Sequence, residues 1–195
     1  MKTISLFLSA TFLCALALGK TDTPPPAASV LANAESAARR DHKNVLVLFH
    51  ASWCGWCKQM EKTMAMPSMK PIFDKNFEIV WLTIMENGDK KTDENPGGLD
   101  MLKQLGGQEN GGIPFFAIVN ADGKVLSNSM YKEAGKPDQN TGYPVEPSEI
   151  THFMTMMSHD APHVSKADLS LLKSTFEKRA AEIKAAQKAR QNSGH

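Results

Sequence analysis

Apolar residues come in short bursts separated by polar stretches rich in glycine and proline. Val45 to Phe49 is a continuous apolar run of strand length, which predicts a strand buried on both faces. Phe77 to Met85 (FEIVWLTIM) predicts a second. Between them, Cys54 to Met66 is helix-like, with Met60 and Met64 four apart, until Pro67 interrupts it. A short turn or helix through Phe73 follows. Upstream, Ala27 to His42 is alanine-rich and predicts a helix. Glu86 to Gly98 reads as a polar surface loop, and Leu99 to Leu105 as a short helix closed by Gly106 and Gly107. Pro114 opens a third strand, Phe115 to Val119. The turn Asn120-Ala121-Asp122-Gly123 then leads into a returning strand, Lys124 to Met130.

After a further Gly/Pro loop, Pro147 to Met157 predicts a helix with Ile150 and Phe153 on one face. Ser165 is placed to cap a last helix, with Asp168 three residues on. Leu169, Leu172, Phe176, Ala180 and Ile183 repeat along it at helical spacing, and it is expected to fray after about Ala185. The expected fold class is α/β: a mixed central sheet flanked by helices, with an extra helix at each end. A helix between the first two strands implies a parallel pair, and the late hairpin implies an antiparallel one.

The N-terminus changes the cysteine count. Lys2 is followed by an apolar run, Ile4 to Leu18, and by the small residues Ala15, Ala17 and Gly19. This is the order of a secretory signal peptide, expected at 1–19, and it is short for a membrane span; an uncleaved anchor is the alternative. Cleavage removes Cys14 and leaves Cys54 and Cys57 in a periplasmic or otherwise secreted chain that does not span the membrane. Pro24, Pro25 and Pro26 mark a tether over 20–29. The main domain is expected over 30–160, with a C-terminal helical extension over 161–195. Lys and Arg number 22 against 21 Asp and Glu, a balance that argues against a nucleic-acid partner held by a broad basic surface.

The chemistry concentrates in Trp53-Cys54-Gly55-Trp56-Cys57-Lys58. Two thiols separated by two residues at a helix start can close a small disulfide ring. Free N–H groups and the helix dipole favour the thiolate of the first, which is the attacking form in disulfide exchange. The second lies one turn in and is placed to release the product. A purely structural disulfide closes too small a loop to add much stability. A zinc site needs more ligands than two cysteines supply, and haem attachment needs a histidine where Lys58 stands. His152, Met154, Met156, Met157, His159 and His163 have the chemistry for Cu(I), but helical phase disfavours a common site, so no metal is expected. Ile113-Pro114, at the head of the third strand, is a natural place for a cis peptide facing a redox pair.

Together these segments, with Ala51-Ser52 before the motif and Asp122-Gly123-Lys124-Val125 after the third strand, resemble the thioredoxin-like superfamily over roughly residues 30–157. The variant is similar to secreted bacterial members whose motif is followed by Lys and, three residues later, Glu, here Lys58 and Glu61. The resemblance implies a thioredoxin-like fold, with Cys54 as nucleophile, Cys57 as resolving thiol and Pro114 as the cis proline of a substrate groove with Trp53, Gly55, Trp56 and Ile113. Two positions depart from thioredoxin itself: Trp56 replaces the usual proline, and Leu48 stands where a buried acid accepts the resolving thiol's proton. Either Glu61, His50 or water takes that proton, or resolution is slower.

The expected function is extracytoplasmic thiol–disulfide exchange on protein thiols and disulfides. No cofactor motif is present, so electrons would come from a membrane thiol reductase. The alternative is a non-enzymatic binding module, such as a metallochaperone or assembly factor, using the same groove.

Overall fold

The computed structural model describes residues 23–133 and 135–193. The expected signal peptide, Cys14 and the first tether residues lie outside them. The elements run α1 (Ala27–Asp41), β1 (Asn44–His50), α2 (Gly55–Met64), α3 (Lys70–Asn76), β2 (Phe77–Thr83), α4 (Gly98–Gln104), β3 (Phe115–Val119), β4 (Val125–Asn128), β5 (Met130–Tyr131), β6 (Gln139–Asn140), α5 (Pro147–Asp160) and α6 (Lys166–Ser193).

Four strands form one mixed sheet in the order β2-β1-β3-β4. β1 pairs parallel with β2, Val47 opposite Val80, and antiparallel with β3, Val47 opposite Ala117. The parallel pair and the β3–β4 hairpin follow the sequence expectation.

The continuous apolar run of β1 is explained by burial on two sides, because alternate strand residues point to opposite faces. Leu46 and Leu48 enter a core with Met60 and Met64 of α2, Phe153 of α5 and Phe176 of α6. Val45, Val47 and Phe49 enter a second core with Leu31 of α1 and Leu102 of α4. The apolar stripe of α6 thus packs into the first core, and Leu172 and Phe176 are fully buried.

Several boundaries differ from the sequence expectation. α1 begins at Ala27, where the alanine-rich run predicted it and within the span given to the tether, and the Ala27 N–H donates to the Pro96 carbonyl at 2.9 Å. The loop after β2 winds a 3₁₀ turn over Gly88–Asp93. The returning strand stops at Asn128, and Met130–Tyr131 turns away to pair with Gln139–Asn140 in a separate ribbon. α5 continues past Met157 to Asp160. α6 does not end near Ala185 but runs to Ser193; its last turns lack an apolar stripe, yet Ala, Lys, Gln and Arg are all strong helix formers.

Candidate active site

β1 delivers the chain to Ala51, and a tight turn follows in which the Cys54 N–H donates to the Ala51 carbonyl at 3.0 Å. Cys54 is the N-cap of α2, with φ −75° and ψ 106°, so the helix begins at Gly55 rather than at Cys54. Its sulfur does the work that an oxygen does at most helix starts: Sγ accepts the Cys57 N–H at 3.1 Å. Cys54 and Cys57 are joined as a disulfide with Cα atoms 5.3 Å apart. Cys57 is completely enclosed, whereas Cys54 keeps 3 % of its surface.

Across from the sulfurs lies the turn before β3. Ile113-Pro114 is cis, as expected, and the Ile113 carbonyl oxygen is 3.5 Å from Cys54 Sγ. Ala51, Cys54, Cys57 and Ile113 form a small apolar cluster of their own.

The 112–114 turn is held by a residue the sequence did not single out. Asn140 Nδ2 donates to the carbonyls of Gly112 at 2.9 Å and Pro114 at 3.0 Å. Its Oδ1 accepts from Ser129 Oγ at 2.7 Å and from the Gly142 N–H at 3.2 Å. Ser129 Oγ in turn accepts the Phe116 N–H at 3.0 Å. The ribbon that departs from the expected strand therefore braces the turn facing the disulfide. No sequence signal marks Asn140, one polar residue in a Gly/Pro loop.

The other side of the motif is held by Glu86, also missed. It is buried, and it accepts from both the N–H and, at 2.8 Å, the hydroxyl of Ser52. Burial pushes the Glu86 carboxyl up, but the two Ser52 donors and the nearby Lys90 and His50 outweigh it and hold it below the usual glutamate range. Lys90 Nζ donates to the same Ser52 hydroxyl at 3.0 Å. Met85 has a positive φ of 55°, a rare conformation for a non-glycine residue, and its carbonyl accepts the Trp53 indole N–H at 2.7 Å. The only sequence cue was an acid directly after an apolar strand.

Trp53 and Trp56 flank Cys54 and are 52 % and 42 % exposed, the most exposed large apolar side chains among the described residues. Trp56 stacks on Tyr143, with centroids 6.2 Å and planes 15° apart. The Tyr143 hydroxyl hydrogen-bonds Thr63 Oγ1 at 3.0 Å, and its ring packs on Phe176 of α6.

His50 and Glu61 are brought together: Nδ1 lies 2.9 Å from Oε1. His50 Nε2 is 3.2 Å from Thr83 Oγ1, so both ring nitrogens have partners. Leu48 is buried in the apolar core. Four of the residues weighed for copper have other contacts. His152 Nε2 donates to the Asn128 carbonyl and His163 Nε2 to that of His42, both at 2.8 Å. Met156 and Met157 are core residues.

No curated protein matches the chain. Among solved structures it is similar to a disulphide isomerase from Xylella fastidiosa, with 28 % identity over 52 % of this chain and 72 % of that one and a TM-score of 0.43. It is similar to the C-terminal domain of Neisseria meningitidis DsbD in the oxidised form, with 24 % identity, 54 % and 84 % coverage and a TM-score of 0.40. It is also similar to the DsbH oxidoreductase, with 17 % identity, 80 % and 96 % coverage and a TM-score of 0.43. Residues 27–121 match a family model described as thioredoxin-like. That match takes in the buried strand, the cysteine helix and Ile113-Pro114 as one unit, and with the mixed sheet that joins them it gives this chain a thioredoxin-like fold.

Proposed function

We propose that the chain is a thiol–disulfide oxidoreductase acting on protein disulfides, with Cys54 as nucleophile and Cys57 as resolving thiol. One observation carries this reading: Cys54 sits at the helix N-cap with an N–H aimed at its sulfur, beside two exposed tryptophans, while its disulfide partner is fully enclosed. A donor placed in this way favours the thiolate.

From the dithiol form, the Cys54 thiolate attacks one sulfur of a substrate disulfide. A mixed disulfide forms, the substrate S–S bond breaks, and the first substrate thiolate leaves and takes a proton. Cys57 gives up its proton and attacks Cys54 Sγ. The mixed disulfide breaks, the second substrate thiol leaves, and the Cys54–Cys57 bond forms. Two electrons pass from the pair to the substrate. The reverse sequence oxidises a dithiol. The resolving proton is assigned to Glu61 or His50, whose side chains are paired at 2.9 Å. Trp53, Gly55, Trp56, Ile113 and Pro114 form the groove that receives the substrate backbone.

The same reading places the chain outside the cytoplasm after removal of residues 1–19. A membrane thiol reductase returns the electrons. Residues 30–160 act as the redox domain and 161–195 as its helical extension.

Insulin-disulfide reduction with dithiothreitol as donor tests the activity, and a titration in glutathione buffers sets its direction, since 30 mV is about a tenfold change in equilibrium constant. Catalytic turnover lost in Cys54→Ser supports the reading. Absence of turnover, with stoichiometric Cu(I) or Zn(II) binding instead, overturns it in favour of a metal-binding module.

A further inference from the structure

The last turns of α6 return to the redox motif. Ile183, Ala186 and Arg190 face Gly55, Trp56 and Gln59 of α2 across a cleft of about 430 Å³. Its floor is apolar: one face of Trp56 is stacked on Tyr143, and the tryptophan still exposes 42 % of its surface. Beyond its chain neighbours and its own helix backbone, Gly55 has nothing within 4 Å of the position a Cβ would take, so the space begins at the backbone of the motif itself.

The far wall is fixed to α2. Arg179 donates to Gln59 Oε1 at 2.9 Å and pairs with Glu182 at 2.8 Å, and Phe176 is buried against Tyr143. Residues 183–193 carry three cations, Lys184, Lys188 and Arg190, and no carboxylate. Lys184 is paired with Glu146 at 2.8 Å. Arg190 lines the cleft and pairs with no carboxylate among the described residues. This wall lies outside residues 27–121, the segment shared with the thioredoxin-like family.

We infer that the cleft between α2 and α6 docks the polypeptide that flanks a partner's redox cysteine, with an apolar side chain on Trp56 and Ile183 and a carboxylate facing Arg190. The inference deepens the oxidoreductase reading and rests on it. The occupant is an acidic peptide segment for two reasons. The cleft is continuous with the cysteine motif through Gly55 and Trp56, and its charged rim residue is a cation with no carboxylate partner among the described residues. An exposed ion pair of this kind is worth about a two- to fivefold preference, and salt screens it.

The test uses the full chain, reduced beforehand and freed of reductant. It is mixed with heptapeptides whose single cysteine is capped as a methyl disulfide. Each peptide carries leucine beside the cysteine and either Glu or Lys two residues beyond. Each event converts the Cys54–Cys57 dithiol to the disulfide and releases peptide thiol and methanethiol. Tryptophan fluorescence gives the second-order rate constant. Hydroxyethyl disulfide serves as a small disulfide with no flanking peptide. The expected result is a roughly two- to fivefold faster reaction for the Glu peptide at low salt, lost at high salt. In Arg190→Glu the preference reverses toward the Lys peptide. Equal rates for both peptides, or a preference that Arg190→Glu leaves in place, overturn the cleft assignment while hydroxyethyl disulfide still reacts. If neither peptide nor hydroxyethyl disulfide reacts, the oxidoreductase reading fails and the cleft assignment falls with it.

Discussion

Asn140 Nδ2 stands 3.0 Å from the Pro114 carbonyl oxygen and donates to it while holding Gly112 in the same grip. The turn opposite Cys54 is thereby tied to a ribbon outside the main sheet. Asn140→Ala leaves two carbonyls without their donor and should lower stability by about 1–3 kcal/mol. Asn140→Asp should be worse at neutral pH, because a carboxylate then faces two acceptors. Its deficit should shrink as the new side chain protonates near pH 4. Urea unfolding of both variants at pH 7 and pH 4 checks the order. An aspartate variant as stable as wild type at pH 7 would show that the donor is not what holds the turn.

Glu86 is the counterpart on the other side of the motif. Its carboxyl is held below the usual glutamate range, so its contribution is complete above that range and is lost as pH falls through the lowered folded value. Glu86→Gln removes the charge behind the two Ser52 bonds and should cost about 1.5–3 kcal/mol at pH 7. The gap to wild type should close on acidification. Denaturation midpoints across pH 3 to 7 measure it, and a gap that stays constant would exclude the carboxylate as the anchor.

Asp168 fastens the start of α6. Lys75 and Ser165 both donate to it, in that order of effect, and lower its carboxyl from 3.8 to about 2. The stability it supplies is therefore full above about pH 4 and disappears as pH falls through 2. Asp168→Asn should lose about 1–2 kcal/mol at neutral pH, by loss of the cap and of the partly buried ion pair, and should match wild type at the acid end. Thermal melts over that range decide it. The Lys75 link also ties α3 to α6, so hydrogen exchange in the first turns of α6 should rise in the variant.

How far the sequence reached depends on how local each signal was. The apolar run 45–49, the spacing of Cys54 and Cys57, and the Ser165–Asp168 pair each lie within a few residues. Each appears in the structure where the pattern placed it. Ile113-Pro114 was legible because a proline opens β3, the strand that pairs with the β1 strand leading into the cysteine motif. Glu86 and Asn140 were not legible, since their meaning lies in partners 34 residues away at Ser52 and 26 away at Pro114. A polar residue in a glycine-rich loop looks the same whether water or a buried carbonyl satisfies it. The end of α6 was misjudged because the apolar stripe was taken as the limit of the helix, whereas intrinsic propensity carries it on to Ser193.

The measurement that bears most directly on the central claim is covalent trapping at the two cysteines. Cys57→Ser and Cys54→Ser are each reduced and mixed with an excess of an oxidised protein such as insulin, quenched with acid, and weighed intact by mass spectrometry. With Cys54 as the attacking sulfur and Cys57 enclosed behind it, Cys57→Ser should accumulate the mixed disulfide because nothing resolves it. Cys54→Ser should remain almost entirely unmodified. Equal trapping by both variants, or trapping by Cys54→Ser alone, would contradict the account.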